Sequence, residues 1–180
     1  MKLLARLLWK LAGWKLEGWV PEDINKSVCV AAPHTSNWDF FYGILAFKMM
    51  DYPVKFLIKK ELFFWPLGPL LRALGGIAVD RKNPKNLVDW LAELYAESDQ
   101  LSIVFAPEGT RKKVDTWKKG FYWLALKAEV PIILGFVNYR DKIGGVGPTI
   151  YPTGDVDKDL EKIMAFYRDI PGKYPEQGVS

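Results

Sequence analysis

Short apolar runs alternate with helical stretches along the whole chain, and this alternation limits what it can fold into. Val28-Cys29-Val30-Ala31-Ala32 reads as a buried strand, as do Val54 to Ile58, Ile77 to Val79, Leu101 to Ala106 and Pro131 to Val137. Thr149 to Tyr151 offers a sixth. Between them, Thr35 or Ser36 is placed to cap a helix running to about Met50. Lys59-Lys60-Glu61-Leu62 opens a helical stretch that Pro66, Gly68 and Pro69 interrupt and Leu70 to Leu74 resume. Pro84 at a first helical position starts a helix to about Glu97. Thr116 is expected to cap a helix with Trp117, Phe121, Leu124, Ala125 and Ala128 on one face, and a last helix runs from about Asp157 to Arg168. Gly144, Gly145, Gly147 and Pro148 read as a turn, and the tail from Pro171 reads as loose. Such an order packs as an α/β fold: a single layered domain with a mostly parallel central sheet flanked by helices. The 180 residues suit one domain with an ample core, here residues 21–180.

Residues 1–20 form a separate expectation. Met1 to Leu16 reads as an amphipathic helix, with Leu3, Leu4, Leu7, Leu8 and Leu11 on one stripe and Lys2, Arg6 and Lys10 on another face. Trp9, Trp14 and Trp19 add rings suited to a membrane interface. The charges interrupt the apolar run, so it is too short and too mixed to span a bilayer, and it lacks a signal-peptide h-region and cleavage site. A basic amphipathic helix with Trp fits in-plane binding to a membrane surface. Packing on the core, or a dimer contact, is the other reading. A net charge of +4 favours an anionic partner: lipid headgroups, a phosphorylated substrate or nucleic acid. No nucleic-acid-binding module pattern is visible, so nucleic acid is not expected. The single Cys excludes an internal disulfide, and one Cys with one His argues against a zinc site.

Pro33-His34-Thr35-Ser36-Asn37-Trp38-Asp39 follows the first strand and holds the only histidine. Carboxyl ends of strands are where α/β active sites collect. Histidine serves readily as a base near neutral pH, and Asp39 can fix its tautomer and stabilise the imidazolium. Five residues on an ideal helix turn through about 500°, so the pair meets only if His34 precedes the helix and Asp39 lies in its first turn. Two plainer readings stand beside this one. His34 can be a structural hydrogen-bonding group, and Ser36-x-x-Asp39 resembles a capping box. Cys29 reads as a core residue and no Gly-x-Ser-x-Gly elbow occurs, so the group His34 would deprotonate belongs to a substrate.

A second loop, Pro107-Glu108-Gly109-Thr110-Arg111, also follows a strand. Its glycine turn can present N–H groups to an anion, Thr110 a hydroxyl and Arg111 a bidentate fork. Arg81 lies just beyond another strand, and Lys60 offers a third positive charge.

Together these runs resemble the glycerophospholipid acyltransferase family, which includes 1-acylglycerol-3-phosphate acyltransferases. His34, Ser36 and Asp39 match its His-x4-Asp block. Lys60-Glu61-Leu62 with Pro66, Gly68 and Gly76 to Arg81 resemble its second block. Pro107 to Arg111 match its third and Val130-Pro131-Ile132 its fourth, all in family order. The resemblance implies an O-acyltransferase that moves a fatty acyl group from acyl-CoA or acyl carrier protein to a lyso-phospholipid hydroxyl, with no further cofactor and no metal. The implied acceptor is 1-acylglycerol-3-phosphate. Another lyso-lipid, such as a lyso-ornithine lipid, is the alternative, since Pro33 stands where the family often has Asn and Ala106 separates Phe105 from Pro107. His34 is assigned as base and Asp39 as its partner. Lys60, Arg81, Glu108, Gly109, Thr110 and Arg111 are assigned to the acceptor site. The implied location is the cytoplasmic face of a membrane, peripheral or monotopic. A non-catalytic lipid-binding module is the reading from another class.

Overall fold

The computed structural model describes residues 2–80 and 87–179. Seven strands form one sheet: β1 (Lys15–Glu17), β2 (Lys26–Ala31), β3 (Lys55–Lys59), β4 (Gly76–Val79), β5 (Leu101–Phe105), β6 (Ile132–Asn138) and β7 (Ile143–Ile150). Their order is β1-β7-β6-β2-β5-β3-β4, and every pairing is parallel except the β6–β7 hairpin. The described helices are α1 (Lys2–Leu11), α2 (Asn37–Met49), α3 (Leu67–Ala73), α4 (Leu87–Glu97), α5 (Gly120–Lys127) and α6 (Val156–Arg168).

Strands buried on both faces read as continuous apolar runs, and β2 is the central case. Val28 and Val30 point to one face, where α4, α5 and α6 close over them with Ile103, Ile132, Leu134, Phe121 and Tyr167. Cys29 points to the other face, against Phe47, Ile133 and Val146. Each of these fully buried aliphatic side chains contributes on the order of 1.5–3 kcal/mol through removal from water. Because β2, β3, β4 and β5 run parallel, the loops after them emerge along one edge of the sheet.

Five local expectations are corrected. The first 16 residues are not one helix: α1 ends at Leu11, and Lys15–Glu17 joins the sheet beside β7. Trp9 and Trp14 are buried, packing with Ala5, Leu45, Ala46 and Met49, whereas Trp19 stays 61% exposed. Gly144, Gly145 and Gly147 lie within β7 and do not form a turn. A Cβ on Gly145 would sit 1.7 Å from the Glu17 carbonyl oxygen, so glycine there admits the close approach of β1. Thr116 does not cap a helix, because α5 begins only at Gly120. The expected start of α4 at Pro84 lies outside the described residues. The tail is also tied down: the Tyr139 N–H donates to the Pro171 carbonyl at 3.2 Å, and the Tyr174 N–H donates to Thr35 Oγ1 at 3.3 Å.

Candidate active site

The register of β2 with its neighbours builds the site. Val30 pairs with Phe105 and Ala31 with Gly135, so His34, Glu108 and Tyr139 leave adjacent strand ends at nearly the same level. His34 lies in the loop before α2, and Asp39 is in that helix's first turn. Ser36 is the N-cap, its Oγ accepting from the Trp38 N–H at 3.3 Å. Asp39 Oδ2 accepts from the N–H groups of Thr35 and Ser36, each at 2.8 Å. The same oxygen lies 3.2 Å from His34 Nδ1. Capping and pairing with the imidazole were competing readings of Asp39, and it does both. Its second oxygen, Oδ1, accepts from the Tyr139 hydroxyl at 2.7 Å.

Burial pushes the Asp39 carboxyl up, but hydrogen bonds from His34, Tyr139 and the Ser36 backbone outweigh it and hold the group below its ordinary value. Asp39 is therefore ionised at neutral pH and can accept from Nδ1–H, a tautomer in which Nε2 carries the lone pair. The His34 side chain is 26% exposed and opens into a cavity.

Glu108 turns inward, away from the role of an exposed loop carboxylate. Its Oε1 accepts from the His34 N–H at 2.9 Å, and its Oε2 is buried without a hydrogen-bond partner among the described residues. Burial raises its pKa, against the lowering effect of the N–H groups of His34 and Glu108 itself. Gly109 adopts φ +66°, a left-handed turn residue that glycine occupies without steric cost.

The cavity holds about 1000 Å³. His34, Asp39, Gly109, Thr110 and Arg111 all line it, together with an apolar wall from Phe40, Gly43, Phe47, Phe56 and Ile58. Lys60 sits exposed in the 3-10 turn after β3 and is not among the described lining residues. Arg81 lies outside the described residues. Two participants escaped the sequence reading. Lys118 lines the cavity because its loop doubles back, the Lys118 N–H donating to the Pro107 carbonyl at 2.9 Å. Nothing local in the sequence signals that return. Tyr139 directly follows β6, so the strand-end rule that singled out His34 applies to it as well. Cys29, fully buried with its thiol pushed up to about 12 by burial, takes no part as a nucleophile.

An imidazole paired with an ionised carboxylate opens into a cavity that combines an apolar wall with cationic lining. The chain belongs to the Acyltransferase family, whose model matches residues 19–134, and it is an acyltransferase. Its fold is similar to the crystal structure of the 1-acyl-sn-glycerophosphate (LPA) acyltransferase, PlsC, from Thermotoga maritima. The two are 19% identical with a TM-score of 0.61, over 89% of this chain and 72% of that one. No curated protein matches the sequence.

Proposed function

We propose that this protein transfers a fatty acyl group from an acyl thioester, acyl-CoA or acyl carrier protein, to the hydroxyl of a lyso-phospholipid, with 1-acylglycerol-3-phosphate as the acceptor. The observation that carries this reading is the His34–Asp39 pair opening into a cavity that joins Arg111 and Lys118 to an apolar wall. His34 Nε2 takes the proton as the acceptor oxygen attacks the thioester carbonyl. The C–S bond breaks, and the imidazolium returns the proton to the departing thiolate. Arg111, Thr110 and the Gly109 turn hold the acceptor phosphate, and Lys118 adds charge to the same pole. Arg81 and Lys60 are carried to this pole by the family resemblance alone. The acceptor named for the similar Thermotoga enzyme supports the phosphate-bearing substrate.

The protein works at a membrane surface, on the cytoplasmic side where soluble acyl donors are found. Ala5 and Trp9 anchor α1 against α2, while Leu3, Leu4, Leu7 and Leu11 stay more than half exposed. Among the described residues no helix is long and apolar enough to cross a membrane, so α1 would lie in the interface plane. Thiol release from acyl-CoA and from acyl carrier protein, measured against a panel of lyso-lipids with products weighed by mass spectrometry, tests the reaction. Consumption of thioester only with lysophosphatidic acid present is the expected result. Consumption with lyso-ornithine lipid instead would move the acceptor. Vesicle binding without thioester consumption from either donor would leave a lipid-binding module.

A further inference from the structure

Tyr139 stands beside the His34–Asp39 pair but outside the segment the family model matches. Its hydroxyl and the imidazole divide the Asp39 carboxylate between them: Tyr139 donates to Oδ1 at 2.7 Å, and His34 Nδ1 lies 3.2 Å from Oδ2. Three other parts of the chain hold the phenol in place. Trp14 meets it edge-on at 5.2 Å between ring centroids and Tyr42 at 6.0 Å, and its N–H is bonded to the Pro171 carbonyl.

We propose that Tyr139 is a positioning residue for the acyl transfer, holding the Asp39 carboxylate so that Oδ2 stays on His34 Nδ1 and Nε2 faces the acceptor hydroxyl. The terminal torsion of an aspartate is broad and nearly two-fold. With a donor on Oδ1 the two oxygens are no longer interchangeable. Without it, the Thr35 and Ser36 N–H groups and His34 Nδ1 all still act on Oδ2, but Oδ1 has no hydrogen-bond donor among the described residues and the carboxylate can pivot about Oδ2. Losing a donor also makes the carboxylate more basic, which strengthens its hold on the imidazolium. This role rests on His34 being the base of the proposed reaction.

Tyr139→Phe keeps the ring against Trp14 and Tyr42 and removes only the hydroxyl. Its kcat is expected to fall about tenfold, the rate equivalent of one charge-assisted hydrogen bond, with KM for both substrates within about twofold. The lone histidine gives a single downfield Nδ1–H proton signal in NMR, and this signal is expected to move in the variant as its carboxylate partner shifts. In an Asp39→Asn background, Tyr139→Phe is expected to cost nothing more, because its partner is already altered. An unchanged kcat and an unchanged Nδ1–H signal would overturn the proposal, as would a full additional loss on top of Asp39→Asn. A wild-type protein that turns over no thioester would fail the base assignment instead, while the Nδ1–H signal still reads Tyr139 without any turnover.

Discussion

Two aspartates in this molecule are built alike and do different work. Asp39 and Asp159 each lie near the start of a helix, largely buried, Asp39 accepting from two backbone N–H groups and Asp159 from one, and each from a tyrosine hydroxyl. Asp159 Oδ2 takes the Thr153 N–H at 2.7 Å, the Thr153 hydroxyl at 2.9 Å and the Tyr122 hydroxyl at 2.9 Å. In both cases burial raises the carboxyl pKa and hydrogen bonds more than reverse it, leaving the group below its ordinary value. The difference is what else the carboxylate touches. Asp39 meets an imidazole that opens into a cavity, whereas Asp159 is sealed at 1% exposure and clasps the turn before α6. A buried carboxylate held by hydrogen bonds is thus a structural part by default, and a neighbouring imidazole that opens into a cavity fits it for the proposed chemistry.

The largest effect expected from breaking this contrast is at His34. His34→Ala should lower turnover about 100-fold or more while the thermal midpoint stays within a few degrees of wild type. Asp159→Asn should do the reverse. It weakens three hydrogen bonds to a buried charge, so denaturant titration should show a loss of about 2 kcal/mol, with kcat of the folded protein unchanged. Acid should sharpen the likeness between the two aspartates. Their folded pKa values lie below the unfolded value near 4, so both contribute stability above that pH and lose it as pH falls through the folded values.

Glu108 supplies the opposite sign and the smallest effect. Its folded pKa is raised, so ionisation at neutral pH works against the fold and protonation relieves this. Glu108→Gln should therefore be more stable than wild type at pH 7, by on the order of 1 kcal/mol. The gap should close as pH falls through the raised folded value toward the ordinary glutamate value near 4.3. A gap that widened on acidification would mean that Glu108 is held as a favourable charge.

Local chemistry carried much of this into the sequence. The apolar runs of β2, β5 and β6 announce strands buried on both faces, and their alternation with helices announces a parallel sheet, hence a shared carboxyl edge. Ser36 and Asp39 spell out the start of α2 within four residues. Where reading failed, one residue type served two purposes. Glycines that mark turns also admit close neighbours, and only the approach of β1 reveals which purpose Gly145 serves. Trp9 and Trp14 suited an interface by composition, yet their rings stack with Tyr42 inside the molecule.

Sequence alone determined most of the elements, a mostly parallel sheet and the pairing of a solitary histidine with an aspartate five residues on, because these depend on periodicity and on neighbours along the chain. Only the tertiary structure decided that α1 turns its leucines outward, that Glu108 braces the His34 backbone, and that Tyr139 and Lys118 come to the site. Those contacts join residues far apart in sequence, and they follow from strand order and loop return rather than from any local pattern.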